Sequence, residues 1–159
     1  RHGIEHCNGK YIIMGDADDS YNFLELSLFI ERLQAGYDMV MGNRFAGGIT
    51  KGAMPWLHRY VGNRFLSSLG RFLFKNNIGD FHCGLRAFTK KCYNIINPQC
   101  NGMEFASELV ALASIHQMRI CEIPVILYPD GRKRRPHLRS WRDGFRHMVL
   151  LYSLYLLRN

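Results

Sequence analysis

The chain contains no Cys-x-x-Cys pair, no internal repeat, no low-complexity tract and no long uninterrupted apolar run. Its five cysteines, Cys7, Cys83, Cys92, Cys100 and Cys121, are odd in number and scattered. That pattern excludes a disulfide framework and a zinc-finger spacing, and it suits reduced thiols facing cytosol. Crossing a bilayer as a helix needs about 20 consecutive apolar residues; none are present, and neither is a signal peptide. Acidic residues are also scarce, 13 against 21 Lys and Arg, which leaves a net charge of +8. Such a balance calls for an anionic partner: nucleic acid, acidic lipid or a phosphorylated substrate. With 159 residues, 47% of them hydrophobic, the chain has enough material for one domain with a real core. It starts at Arg1-His2-Gly3-Ile4, which is not an initiator sequence, and stops within an apolar stretch; it is expected to be a fragment.

What is present centres on one stretch. Tyr11-Ile12-Ile13-Met14 reads as a buried strand that runs directly into Gly15-Asp16-Ala17-Asp18-Asp19-Ser20-Tyr21. Ligands of α/β sheets gather beyond the carboxyl ends of strands. Asp16 and Asp18, two apart, can reach one hard cation, and such a pair suits Mg²⁺ or Mn²⁺ bridging to a substrate phosphate. An EF-hand loop is excluded because its Gly and Glu positions hold Tyr21 and Ser27. Two other readings stay open: an acidic turn that caps the next helix, and a nucleophilic Asp of the haloacid-dehalogenase kind.

Asn22 and Glu25 form a capping box for a helix over Phe23–Gln34 that stops before Gly36. Asp38–Met41 is a second strand, so strand, helix and strand suggest a βαβ unit and a parallel sheet. A glycine-rich loop follows over Phe45–Pro55, then a helix over Leu57–Phe74 whose apolar residues recur at helical spacing. Gly79–Phe88 reads as irregular, Met103–His116 as a helix, and Ile120–Tyr128 as an edge or bulged strand because Pro124 interrupts it.

Several polar residues could carry chemistry. Arg44 ends the second strand on the rim of the Asp cluster, and Arg59 and Asn63 share a helix face. Arginine's planar fork suits phosphate oxygens, although solvated surface arginines look the same in sequence. Asp80-Phe81-His82-Cys83-Gly84-Leu85-Arg86 packs acid, imidazole, thiol and guanidinium into one loop; Cys83 is a weak candidate nucleophile and a better candidate for burial. Glu104 and Glu108 lie four apart in an apolar helix, which favours a basic or ligand-bearing cleft. From Pro129 the composition turns basic, and Arg132, Lys133, Arg134, Arg135, Arg139, Arg142 and Arg146 supply seven of the 21 basic residues. Basic runs can be nucleic-acid arms. Trp141 and Phe145, with leucines after them, instead favour an amphipathic helix on an anionic membrane, and no nucleic acid is expected.

Taken together and in order, Gly15–Tyr21, Met41–Phe45, Pro55–Arg59, Asp80–Phe88, Gly102–Glu108 and Pro136–Arg139 resemble the family-two inverting glycosyltransferases of the dolichol-phosphate mannose/glucose synthase type. The resemblance covers nearly the whole chain; each motif is weak alone, and the ordered set is specific. It implies an α/β fold, the C-terminal part of a GT-A nucleotide-sugar domain, with a mixed sheet flanked by helices over residues 1–135 and a basic juxtamembrane helix over 136–159. It implies transfer of a hexose from a nucleotide-sugar of the UDP-glucose or GDP-mannose type to a polyprenyl phosphate at the cytoplasmic face of the membrane. By the same resemblance, Asp16 and Asp18 hold Mg²⁺ or Mn²⁺. Asp19, Ser20, Arg132 and Arg135 contact the donor, and Arg44, Arg59 and Asn63 hold the acceptor phosphate. Asp80, Arg86 and Glu108 fall on the acceptor side as candidate catalytic residues. The family's opening strand and base-binding Asp loop have no counterpart after Arg1, so the nucleotide-reading half is expected to be missing. A haloacid-dehalogenase-like phosphatase and a non-catalytic membrane-binding module are the alternatives.

Overall fold

The computed structural model describes residues 1–54, 62–131 and 140–158. Arg59, Arg132 and Arg135, the Pro55–Arg59 and Pro136–Arg139 motifs, and the start of the helix expected from Leu57 lie outside the described residues. The elements run α1 (His2–His6), β1 (Tyr11–Met14), a 3₁₀ turn (Phe23–Glu25), α2 (Ser27–Gln34), β2 (Met39–Asn43), α3 (Arg44–Gly47), β3 (Gly48–Ile49), α4 (Asn63–Phe74), β4 (Arg86–Thr89), α5 (Lys90–Ile96), α6 (Phe105–Ile115), β5 (Ile120–Leu127) and α7 (Ser140–Arg158).

The sheet order is β1-β4-β2-β5-β3. β4 pairs antiparallel with both β1 and β2, whereas β5 pairs parallel with β2 and β3. The sheet is therefore mixed. The parallel βαβ expected from β1, α2 and β2 is corrected in one respect: β4 lies between its two strands. That strand falls in the stretch read as irregular, because its four residues are too few to show a period and follow directly on a polar loop. The expectation of an edge position for the Pro124 strand is also corrected. β5 has β2 on one side, opposite Pro124 at Asn43, and β3 on the other only at Ile126 and Leu127. Pro124 is tolerated because β3 begins only opposite Ile126, so at Pro124 the strand is paired on the β2 side alone. Gly47 fills the gap instead: an added Cβ would collide with the Val125 backbone, so α3 lies directly on β5.

Strand alternation sends side chains to both faces. Met39, Met41 and Phe88 pack with Leu109, Val110 and Ala113 of α6 on one side. Val40, Ala87, Ile123 and Val125 pack with Phe29 and Leu33 of α2 on the other. A third cluster joins Leu73 and Phe74 of α4, Ala111 of α6 and Leu151 of α7. The C-terminal helix is thus part of the packed body along its inner stripe. Caps agree with local chemistry: Asn22 Oδ1 accepts from Leu24 N at 3.0 Å, and Thr89 Oγ1 accepts from Cys92 N at 3.0 Å.

Candidate active site

β1 delivers the Asp cluster to the rim of the sheet. Asp16 and Asp19 are exposed and Asp18 is half-buried. Asp19 adopts φ 64°, a left-handed turn that Asp tolerates better than most residues. Ser20, itself buried, donates from Oγ to Asp18 Oδ1 at 2.5 Å, and its backbone N donates to the same oxygen at 3.2 Å. Through these two bonds Ser20 holds the Asp18 carboxylate in orientation. Asp16 lies against Gly84 of the 79–85 loop, where an added Cβ would collide with Asp16 Oδ2.

No cluster of three or more His, Cys, Asp or Glu side chains able to hold a metal occurs among the described residues. A cation of the Mg²⁺ kind is bound by one or two carboxylates and completed by substrate phosphates and water. The hard oxygen donors of Asp16 and Asp18 at a strand end fit such an ion. Beside them is a cavity of about 410 Å³ lined by Asp19, Tyr21, Asn22, Phe23, Tyr128 and Pro129. The chain after β5 returns to the cluster: Tyr128 N donates to Ser20 O at 3.0 Å and Gly131 N to Asp18 O at 2.8 Å. The chain is therefore tethered at Gly131, beside the carboxylates, and the basic residues expected on the donor side, Arg132 and Arg135, lie outside the described residues.

The second charged group is internal. Arg44 Nε and Nη2 grip Asp80 Oδ2 and Oδ1 at 2.7 and 2.8 Å, and Arg44 N adds a bond of 3.2 Å. Asp80 is 0% exposed and Arg44 7%. Burial opposes the Arg44 charge, but the hydrogen bonds and charge of Asp80 outweigh it and raise the guanidinium pKa above its ordinary value. Glu122 holds the same loop from β5, accepting from Gly79 N at 2.9 Å and Asp80 N at 3.0 Å. Arg86, 1% exposed, donates from Nε to Cys83 O at 3.1 Å, from Nη2 to the same oxygen, and from Nη1 to Ala106 O at 2.9 Å. Burial lowers its pKa, partly offset by Cys83, Asp80, Tyr21 and Asp16.

This arrangement bears on the direct roles expected for Arg44, Asp80 and Arg86. Their polar edges are committed to one another and to backbone carbonyls, so they shape the loop behind Asp16. Asn63 opens α4, and its Nδ2 lies 3.6 Å from Met54 Sδ. Glu108 accepts from Gln99 N at 2.9 Å and Cys100 N at 2.8 Å, which anchors the turn before α6. Glu104 meets Arg146 of α7 at 2.5 Å. The expected cleft for this acid pair is thus resolved into two separate contacts, one of them basic. Cys83 is fully buried, and burial pushes its thiol up to about 11, which removes the thiolate that a nucleophile needs.

Three further residues escaped sequence reading. Glu122 gave a signal, a lone acid within an apolar strand. Tyr21 accepts from Gly84 N at 3.1 Å, and burial raises its phenol pKa, with Cys83 adding to the rise. His147 gave no signal, because its partner Ser107 lies 40 residues earlier.

Residues 1–95 match Glycosyl transferase family 2. The chain is 36% identical over 148 residues to a low-salt glycan biosynthesis hexosyltransferase of Haloferax volcanii, covering 92% of this chain and 35% of that protein. It is 32% identical over 116 residues to a dolichyl-phosphate hexose transferase of the same organism, covering 72% of this chain and 48% of that one. The chain therefore spans less than half the length of these relatives. Its fold is similar to glucosyl-3-phosphoglycerate synthase from Mycobacterium tuberculosis, solved with Mn²⁺, UDP-glucose and phosphoglyceric acid, with a TM-score of 0.66 at 14% identity over 96% of this chain and 52% of that one. A strand-end Asp pair, a mixed sheet of the GT-A kind and a family match over residues 1–95 agree: this chain belongs to glycosyl transferase family 2.

Proposed function

We propose that this chain carries the metal and diphosphate side of an inverting hexosyltransferase, which moves a hexose from a nucleotide-sugar to a polyprenyl phosphate at the cytoplasmic face of a membrane. The observation that carries this reading is the Asp16–Asp18 pair at the end of β1, with the chain after β5 returning to it through the bonds of Tyr128 N to Ser20 O and Gly131 N to Asp18 O. The names of the relatives and the Mn²⁺ in the structural neighbour support it.

Asp16 and Asp18 would hold Mg²⁺ or Mn²⁺, which when bound supplies charge neutralisation for a departing nucleoside diphosphate. Ser20 fixes the Asp18 carboxylate, and Gly84 gives Asp16 room. The acceptor phosphate oxygen attacks the anomeric carbon. The bond from that carbon to the donor phosphate breaks, with inversion, and the electron pair leaves on the nucleoside diphosphate. A phosphate acceptor is already ionised at neutral pH, so no residue has to take a proton from it. The internal bonding of Asp80 and Glu108 is consistent with that economy. In this reading Arg59 and Asn63 meet the acceptor phosphate, Asp19 and Arg132 and Arg135 the donor, and Arg44 with Asp80 sets the loop behind Asp16.

The membrane surface enters through two helices. α7 buries Leu151 inward and leaves Phe145, Val149, Tyr152 and Leu156 exposed on the opposite stripe. α4 leaves Phe65 and Phe72 exposed, with Arg64 and Arg71 beside them. No helix among the described residues is long and apolar enough to cross a membrane. An apolar stripe flanked by arginines suits a helix lying on acidic lipid. The experiment is hexose transfer from UDP- and GDP-sugars to polyprenyl phosphate in acidic-lipid vesicles, with and without Mn²⁺. Transfer that requires the metal and the lipid phosphate supports the proposal. Hydrolysis of phosphate esters through a trapped aspartyl-phosphate would replace it with the phosphatase reading, and vesicle binding without any transfer would leave only a membrane-binding module.

A further inference from the structure

A polar chain crosses the body between α7 and the loop behind Asp16. His82 Nε2 lies 2.9 Å from Ser107 Oγ, and Ser107 Oγ lies 2.8 Å from His147 Nδ1. The two imidazoles meet edge to face with centroids 4.8 Å apart. The three residues come from three places: the 79–85 loop, α6 and α7. Ser107 is 0% exposed and His147 5%, and His82 Nδ1 is buried with no hydrogen-bond partner among the described residues.

The orphan nitrogen orders the chain. A buried N–H without a partner is rarer and more costly than a buried lone pair, so the His82 proton belongs on Nε2. His82 Nε2–H then donates to Ser107 Oγ, and the single Ser107 proton donates onward to His147 Nδ1. Both rings must be neutral for this order. A second proton on His82 would fall on the orphan Nδ1, and one on His147 would confront the Ser107 hydroxyl. The groups around His82 are His147, Arg44 and Arg86. Those around His147 are Glu104, Asp143 and Arg146, with His82 against its ring.

The loop that His82 belongs to includes Gly84, against which Asp16 lies. Glu122 and Arg44 tie the loop at Gly79 and Asp80, and Tyr21 ties it at Gly84. The His82 bond is its tie to α7 through α6. We propose that His147 and Ser107 are positioning residues for the metal-side carboxylate Asp16, acting through His82 on the backbone at Gly84. This rests on the reading of Asp16 and Asp18 as the metal site. It couples the packing of the C-terminal helix, the one with the exposed apolar stripe, to the geometry of the donor rim.

The test uses the full chain with Ser107→Ala, His147→Leu and His147→Asn. It reads Mn²⁺ affinity by electron paramagnetic resonance and the amide exchange rate of Gly84 without metal. Asn places an acceptor oxygen near the position of Nδ1, so His147→Asn is the conservative rescue. Ser107→Ala and His147→Leu are expected to weaken Mn²⁺ binding about 5-fold, the worth of one hydrogen bond, and to speed Gly84 exchange to a similar degree. His147→Asn is expected to stay close to wild type in both. A fall in melting temperature in Ser107→Ala with unchanged Mn²⁺ affinity and unchanged Gly84 exchange would overturn the proposal and leave a packing contact. If the wild-type chain binds no Mn²⁺, the metal reading fails separately. Gly84 exchange then decides the linkage alone: faster exchange in Ser107→Ala supports it, and an unchanged rate overturns it.

Discussion

Two groups of carboxylates in this chain have the same chemistry and opposite settings. Asp16, Asp18 and Asp19 stand on the rim of the sheet, in or near solvent, with a cavity beside them. Asp80 and Glu108 are buried, and their oxygens are taken by Arg44 and by backbone N–H groups. A carboxylate that must trade water for a metal and a diphosphate has to be reachable. One that holds a loop in shape has to be buried with all its bonds made, because an unpaired buried charge is costly. The difference separates residues that can meet a ligand from residues that make the site rigid.

The largest expected effect tests the buried side. Asp80→Ala leaves the Arg44 guanidinium buried without its partner, and should cost about 3–5 kcal/mol of stability, read by chemical denaturation. A loss under about 1 kcal/mol, as for an exposed pair, would break the distinction. On the rim, Asp18→Ala strands the two Ser20 donors and should cost about 1–3 kcal/mol of stability, less than Asp80→Ala, and lower metal-dependent transfer by on the order of 10²-fold or more, since metal charge stabilisation is worth several kcal/mol. Near-wild-type turnover in that variant would sink the metal assignment.

Gly84→Ala acts where the two groups touch. The added methyl must displace Asp16 Oδ2, so the metal activation constant should rise about 10-fold while stability falls by roughly 1–3 kcal/mol, the usual cost of overpacking. A change in stability alone would place Asp16 outside the metal site. The smallest effect is a pH slope. Burial lowers the pKa of both His82 and His147 from 6.5, with the nearby His147 charge adding to the shift at His82. The unfolded chain therefore takes up these protons first as pH falls. Stability is fully present above pH 6.5 and declines below it, by up to about 1.4 kcal/mol per pH unit for each imidazole. Denaturation curves between about pH 7 and 5 check this, and the slope should flatten in His147→Asn.

The rim was the legible part. Tyr11–Met14 followed by Asp16 and Asp18 is a local pattern, and a strand end is where ligands gather in α/β sheets. Helices α2, α4 and α6 were also legible, α4 by the helical spacing of its apolar residues, because each runs eight residues or more. The position of β4 was hidden, since four residues carry no period and its neighbours β1 and β2 both come earlier in the chain. The Asp80 loop was noticed for its composition, but its bonding was beyond reach: Arg44 lies 36 residues before Asp80 and Glu122 lies 42 residues after it.

Sequence by itself determined the chemistry on offer: hard oxygen donors at a strand end, a surplus of positive charge, thiols without a metal spacing, and helical stripes to cover a sheet. Tertiary structure alone decided which charges remained available. Whether a carboxylate faces water or a guanidinium depends on side chains that are tens of residues distant along the chain, and burial makes that pairing obligatory. Asp16 and Asp80 are the same residue type, and the fold leaves one exposed on the rim and buries the other against Arg44.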